Sequence, residues 1–312
     1  MVTALTLLVA GFGAVAAYVA WAVVAASHGA DIGWLIAGAP AIYVALYLAV
    51  AGLAFALAWI YRTPRPREWR IGARATLRLF IGEALAMAKS HPRMAFEWWA
   101  MRDPPAAPAS NPVLLLHGVL CNAGMWAGAL PRIAAACEGP VYTLSYGPPA
   151  ASIETFADQL AAKIAMIRAA TGATKVTLVA HSMGGLVARA YLRRHGAAHV
   201  RCLVAVGTPH HGSVHARLVA GRCLAQIRPG SAWLAELNRN ESAGPPVRVV
   251  SLWSRHDSMV APQASACLEG AENVALTGIG HNALVEQPAV IARIVDELRR
   301  AEREARAERS AS

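Results

Sequence analysis

Charged side chains are scarce. They make up 15% of the 312 residues, against about 25% in a typical soluble domain. The shortage is uneven: residues 2–26 and 32–61 contain no Asp, Glu, Lys or Arg. Cysteine is sparse as well, with 5 in the chain, which excludes a disulfide-dense scaffold. Their odd number and lack of framework spacing fit a reducing compartment. No His, Cys or Asp cluster has metal-ligand spacing, so no metal is expected. What is abundant is apolar surface. A 56% hydrophobic content excludes an intrinsically disordered chain. The net charge of +10 leaves nucleic acid, an anionic membrane surface or bilayer orientation as readings, which the distribution along the chain separates.

The two uncharged stretches are each long enough to span a hydrocarbon core, which takes about 20 apolar residues. Ser27–Asp31 is the polar turn between them, and Trp34, Trp59 and Tyr61 suit interfacial belts. The alternative for the first stretch is a cleaved signal peptide, with Val24–Ser27 as the cleavage site. Directly after Tyr61 come Arg62, Arg65, Arg67, Arg70, Arg74 and Arg78. By the positive-inside rule this cluster places residues 62–312 on the cytoplasmic side, whether or not the first stretch is retained. The expected location is therefore the inner (cytoplasmic) membrane, multi-pass if both spans remain. No other dense basic patch interleaved with aromatics exists, so nucleic acid is not an expected partner.

The organisation expected is an anchor over 1–61, a basic juxtamembrane segment with a proline-rich linker over 62–111, and a catalytic domain over 112–312. Glu68–Lys89 mixes arginines with Leu77, Leu79, Phe80, Ile81, Leu85 and Met87. That pattern fits a helix lying in the headgroup region, or one that packs on the following domain. Phe96, Trp98 and Trp99 fit the same interface. The tail Arg299–Ser312 reads as a solvated helix end.

From residue 112 onward, strand and helix alternate. Short apolar runs at 112–118, 141–146, 175–180, 200–206, 247–253 and 273–276 read as buried strands. Helices are expected at 123–136, 152–171, 186–195 and 288–306. This alternation predicts an α/β fold with a mostly parallel, doubly wound sheet, whose sites lie at the carboxyl ends of strands.

Ala180-His181-Ser182-Met183-Gly184 is the sharpest motif. A serine on a tight strand-to-helix turn, with small residues two positions away on each side, is a nucleophile elbow. It exposes Oγ and aims the Met183 amide at developing negative charge. A serine hydroxyl needs a base, and the base needs an orienting acid. In this fold they follow in the order acid, then histidine. Asp257 lies in the loop after the fifth strand. Glu236, Glu241, Glu269, Glu272, Asp296 and Glu297 are worse placed. His281, in GIGHN after the last strand, alone among the histidines has both the chain order and the strand-end position. The second oxyanion donor is expected at the Val119 amide, after His117-Gly118. Leu120, His181 and His211 flank these groups as candidate substrate contacts, and His117 reads as a loop anchor. This chemistry calls for no cofactor.

VLLLHG, AHSMGG, GTPHHGS, DSMVAP and GIGHN together resemble bacterial alpha/beta-hydrolase lipases, particularly the triacylglycerol-lipase and esterase group. The resemblance covers about residues 110–300. It implies a Ser182–Asp257–His281 triad and hydrolysis of carboxylic esters, lipids among them, through an acyl-enzyme. Ala216–Leu237, within an insertion of about 213–245, resembles the cap these enzymes place over the site; the alternative is a helical pair serving only packing. An acyltransferase or thioesterase with the same triad, or a non-catalytic membrane scaffold, remain the other readings.

Overall fold

The computed structural model describes residues 2–241 and 244–310. Two long apolar helices come first, α1 (Val2–Ser27) and α2 (Ile32–Ile60). Asp31 caps α2 by accepting a hydrogen bond from the Trp34 amide, satisfying one of the donors a helix start leaves open. Tyr18 on α1 donates to the Leu35 carbonyl at 3.0 Å, tying the hairpin together. By length and composition α2 is sufficient to cross a membrane. Then come α3 (Ala73–Ala95) and a short α4 (Glu97–Ala100).

The remainder alternates as the hydrophobic pattern predicts. In chain order it runs β1 (Val113–Leu116), α5 (Leu130–Ala136), β2 (Val141–Leu144), α6 (Ile153–Thr171), β3 (Val176–His181), α7 (Met183–His195), β4 (Val200–Val206), α8 (Arg222–Ile227), α9 (Ala232–Asn240), β5 (Arg248–Ser254), β6 (Glu272–Leu276) and α10 (Pro288–Ser310). The six strands are all parallel, in the order β2-β1-β3-β4-β5-β6. Strand residues point alternately to opposite faces. Leu114 and Leu116 join the core under α6 and α7, while Val113 and Leu115 join the one under α5 and α10. A sheet buried on both faces explains why its strands read as unbroken apolar runs.

Helix ends follow local chemistry. Ser152 caps α6 by accepting from the Glu154 amide, and Gly172 ends it in the left-handed region. α10 runs further than expected, and Ala301 and Ala305 are buried. Within the segment read as a solvated tail, one face is thus packed as far as Ala305, residues 306–310 are exposed as expected, and 311–312 lie outside the described residues.

α3 has two apolar faces. Leu79, Ala84, Met87 and Met94 are buried, while Leu77, Ile81 and Leu85, spaced four apart, are exposed. The first face packs on α2 and the α/β domain. The second is an open apolar stripe beside Arg74 and Arg78. The packing expected of this amphipathic helix is therefore found on its first face, while the second is left exposed.

Candidate active site

Ser182 stands between β3 and α7 with φ 55° and ψ −125°. A non-glycine residue with positive φ is strained, and here the surrounding packing enforces the turn. The Ser182 amide donates to the Val206 carbonyl at 2.8 Å. A Cβ on Gly184 would stand 2.7 Å from the His117 carbonyl oxygen of the neighbouring chain segment, so only glycine lets α7 approach so closely. Met183 opens α7, and its N–H has no carbonyl one turn back to bond.

Asp257 and His281 come together from the loops after β5 and β6. His281 Nδ1 and Asp257 Oδ2 are 2.9 Å apart. Asp257 Oδ1 accepts from the amides of Met259 at 2.8 Å and Val260 at 2.7 Å, which locks the carboxylate. Both residues are buried. Burial disfavours the imidazolium, but the Asp257 charge and hydrogen bond, with Glu83 adding to them, more than offset it. The result is a His281 held above its ordinary value. His281 and Ser182 line one pocket; no hydrogen bond joins their side chains.

Glu83, on α3, is a residue that the sequence reading did not single out. It is fully buried. Its Oε1 accepts from Ser258 Oγ at 2.6 Å, the Asn282 amide at 3.0 Å and Asn282 Nδ2 at 2.9 Å. Its Oε2 accepts from the Ala283 amide at 3.0 Å. Ser258 Oγ in turn accepts from the His281 amide at 3.3 Å. One carboxylate from the segment before the α/β domain therefore ties the acid loop to the histidine loop. Gly280 is the matching signal, because a Cβ there would collide with the Glu83 side chain.

The other anticipated residues separate. Val119, Leu120 and His181 line the pocket beside Ser182, and Leu120 also has positive φ. His181 Nε2 bonds the His281 carbonyl at 3.1 Å, and burial, followed by the nearby His281, holds it well below its ordinary value. His117 stacks on Tyr146 and bonds the Gly118 carbonyl at 2.8 Å. Burial lowers it to about 4, so it stays neutral. His211 does not line the pocket. It is exposed, with Nδ1 3.1 Å from Asn238 Nδ2 on α9, because the tight turn at Gly212 carries its side chain outward. His215 lines the pocket instead, its Nε2 3.1 Å from the Ala54 carbonyl of α2.

The pocket holds about 170 Å³ and is mostly apolar, with Leu218, Val219, Leu224 and Ile227 from the 213–245 insertion on one side. Leu224 and Ile227 belong to the core, whereas Leu218 and Val219 are exposed at its edge. Behind the site, buried Arg189 of α7 pairs with Glu241 at 3.0 Å and donates to Asn238 Oδ1 at 2.8 Å. The nucleophile helix and the insertion are thereby joined. Among the described residues no group of three or more His, Cys, Asp or Glu is placed to hold a metal.

Comparison with known proteins bears on the fold. Residues 111–222 match the family model of the alpha/beta hydrolase fold. Triacylglycerol lipases of Pseudarthrobacter phenanthrenivorans and Burkholderia plantarii are each 45% identical over 62 residues, 20% of this chain. The chain spans only 19% and 17% of their lengths. The mature Bacillus licheniformis lipase BlEst2 superposes with a TM-score of 0.55 at 18% identity, over 63% of this chain and 96% of that one. Aspergillus fumigatus lipase B gives 0.57 at 21%, over 76% and 63%. The parallel sheet, the strained serine turn and these likenesses agree: this chain has the alpha/beta-hydrolase fold.

Proposed function

We propose that this protein is a membrane-anchored serine hydrolase that cleaves carboxylic esters of lipids. The observation that carries the reading is the convergence, in one apolar pocket, of Ser182 at its positive-φ turn with His281, whose other ring nitrogen is paired with Asp257 behind it. Ser182 Oγ attacks the ester carbonyl carbon while His281 Nε2 takes the hydroxyl proton. Asp257 holds the Nδ1–H and stabilises the imidazolium. The amides of Val119 and Met183 receive the oxyanion. His281 then gives its proton to the departing alkoxide, leaving an acyl group on Ser182. Water, deprotonated by His281, attacks that acyl-enzyme and releases the carboxylic acid.

A lipid ester suits the apolar pocket and the exposed Leu218 and Val219 at its edge. The triacylglycerol lipases that match part of the chain support the same substrate class. The apolar α2, the exposed Trp59 and Tyr61 at its end, and the arginines at 62–78 support an anchor with the hydrolase on the cytoplasmic face of the inner membrane. The test is p-nitrophenyl ester turnover by full-length protein and by Ser182→Ala, with fluorophosphonate labelling of both. Ser182→Ala is expected to lose at least about 10³-fold in rate and all labelling while staying folded. Undiminished turnover would reject the serine mechanism. Labelling of the wild type without hydrolysis of any lipid in a panel would favour acyl transfer.

A further inference from the structure

A second cavity, larger than the active-site pocket, lies between α2, α3 and the loop after β5. It encloses about 940 Å³. Its walls are apolar, built on Phe55, Leu79 and Phe80, and its floor is the back of His256 and Asp257. Arg62, Arg65 and Arg70 stand around it. Arg62 stacks on Trp59 at 3.9 Å from the ring centre, and Arg65 approaches the same indole at 5.8 Å. Two guanidinium groups are thus gathered over one ring beside an apolar chamber.

These cations have no counter-ion. Among the described residues no carboxylate lies within ion-pair distance of Arg62, Arg65 or Arg70. Arg65 Nε is buried without a hydrogen-bond partner, a donor whose desolvation nothing in the chain offsets. The one carboxylate on the cavity wall, Asp257, already serves His281 and the amides of Met259 and Val260. The local field is positive enough that, after burial, the charges of Arg65 and Arg255 help hold His256 down at about 4. The chamber adjoins the end of α2, where a bilayer headgroup layer meets the hydrocarbon.

We infer that this cavity is a binding site for one anionic phospholipid of the membrane, distinct from the ester pocket. The phosphate sits between Arg62 and Arg65, accepting from the orphaned Nε, with Arg70 nearby. One acyl chain lies along Phe55, Leu79 and Phe80. Guanidinium and phosphate match in charge and in bidentate geometry, and the apolar walls match the chain. A zwitterionic lipid offers the same phosphate but adds a headgroup cation, which the gathered arginines repel.

This inference rests on the membrane-anchor part of the proposed function, which carbonate extraction of membranes tests separately. The binding experiment uses full-length Ser182→Ala protein in detergent, so that turnover does not consume ligand. Native mass spectrometry follows titration with dioleoyl phosphatidylglycerol and with dioleoyl phosphatidylcholine. The expected result is one phosphatidylglycerol retained per chain in preference to phosphatidylcholine. Adding Arg62→Gln and Arg65→Gln together is expected to weaken phosphatidylglycerol binding at least about tenfold and to remove its preference over phosphatidylcholine. Thr76→Trp, at an exposed position on the cavity wall, fills the chamber without touching a charge and is expected to displace the lipid too. It decides the matter if the arginine variant fails to fold. Equal retention of the two lipids, or phosphatidylglycerol retention unchanged by both variants, would overturn the inference. Inorganic phosphate binding as tightly as phosphatidylglycerol would also overturn it, by showing that the acyl chain contributes nothing.

Discussion

Replacing Glu83 should damage the proposed active site, whose reacting groups all lie in another part of the chain. Its carboxylate accepts hydrogen bonds from Ser258, from the amide and side chain of Asn282, and from Ala283, with no exposure to solvent. Glu83→Ala strands those donors in a closed space, and breaking a buried charged network costs about 3–5 kcal/mol. Glu83→Gln keeps the shape and the three bonds at Oε1, but turns its amide NH2, a donor, toward the Ala283 N–H and removes the charge. Its stability cost is expected to be about 1–3 kcal/mol. The charge has a second effect. Glu83 touches the residue next to His281 and favours the imidazolium. A buried charge is screened less than one in water, so the Glu83 carboxylate is felt at the imidazole and helps hold it upward. His281 must be neutral to take the serine proton, so activity falls as pH drops through its pKa. Removing Glu83's charge lowers that pKa and moves the acid limb of kcat/KM to lower pH. The assay is ester hydrolysis from pH 5 to 9 with thermal denaturation of the same samples. An acid limb that stays put or moves upward in Glu83→Gln would refute the electrostatic argument. A Glu83→Ala protein as stable as wild type would refute the structural one.

Other consequences are simpler to read. In the unaltered protein the acid limb of kcat/KM is expected above the ordinary histidine value of 6.5, since His281 is held upward; a limb below it would contradict the placement of Asp257. Asp257→Asn should preserve the fold and cut kcat by about 10²–10⁴, because the amide no longer stabilises the imidazolium. Arg189→Ala leaves Glu241 buried without its partner, and denaturant unfolding is expected to show a loss of about 3–5 kcal/mol.

The sheet was legible because its strands are buried on both sides, which makes each an apolar run closed by a glycine or a polar loop. Ser182 was legible because the elbow demands small neighbours in sequence. The meeting of Asp257 and His281 followed from chain order and strand ends. Glu83 was not legible, because an acid in mid-helix carries no local mark of what lies across from it. Gly280 was the trace it left, and that glycine has a meaning only once the two segments are seen together. The exchange of His211 for His215 in the pocket has a similar origin. Which of several nearby histidines faces inward is set by the turn at Gly212 and by the Ala54 carbonyl of α2, both beyond the reach of residue type alone.

The contacts between α2, α3 and the α/β domain bear on how the proposed enzyme could be released from the proposed anchor. Thr63 bonds to Gln263 and Ala264, His215 to Ala54, and Glu83 to the histidine loop. The proline-rich stretch at 102–112 resembles a tether that a protease could cut to shed a free enzyme. Cleavage there would cut the chain without separating the parts, since Ala54, Thr63 and Glu83 still bond across the cut. Pulling that segment away would strip the histidine loop of its brace, so shedding and inactivation would be the same event.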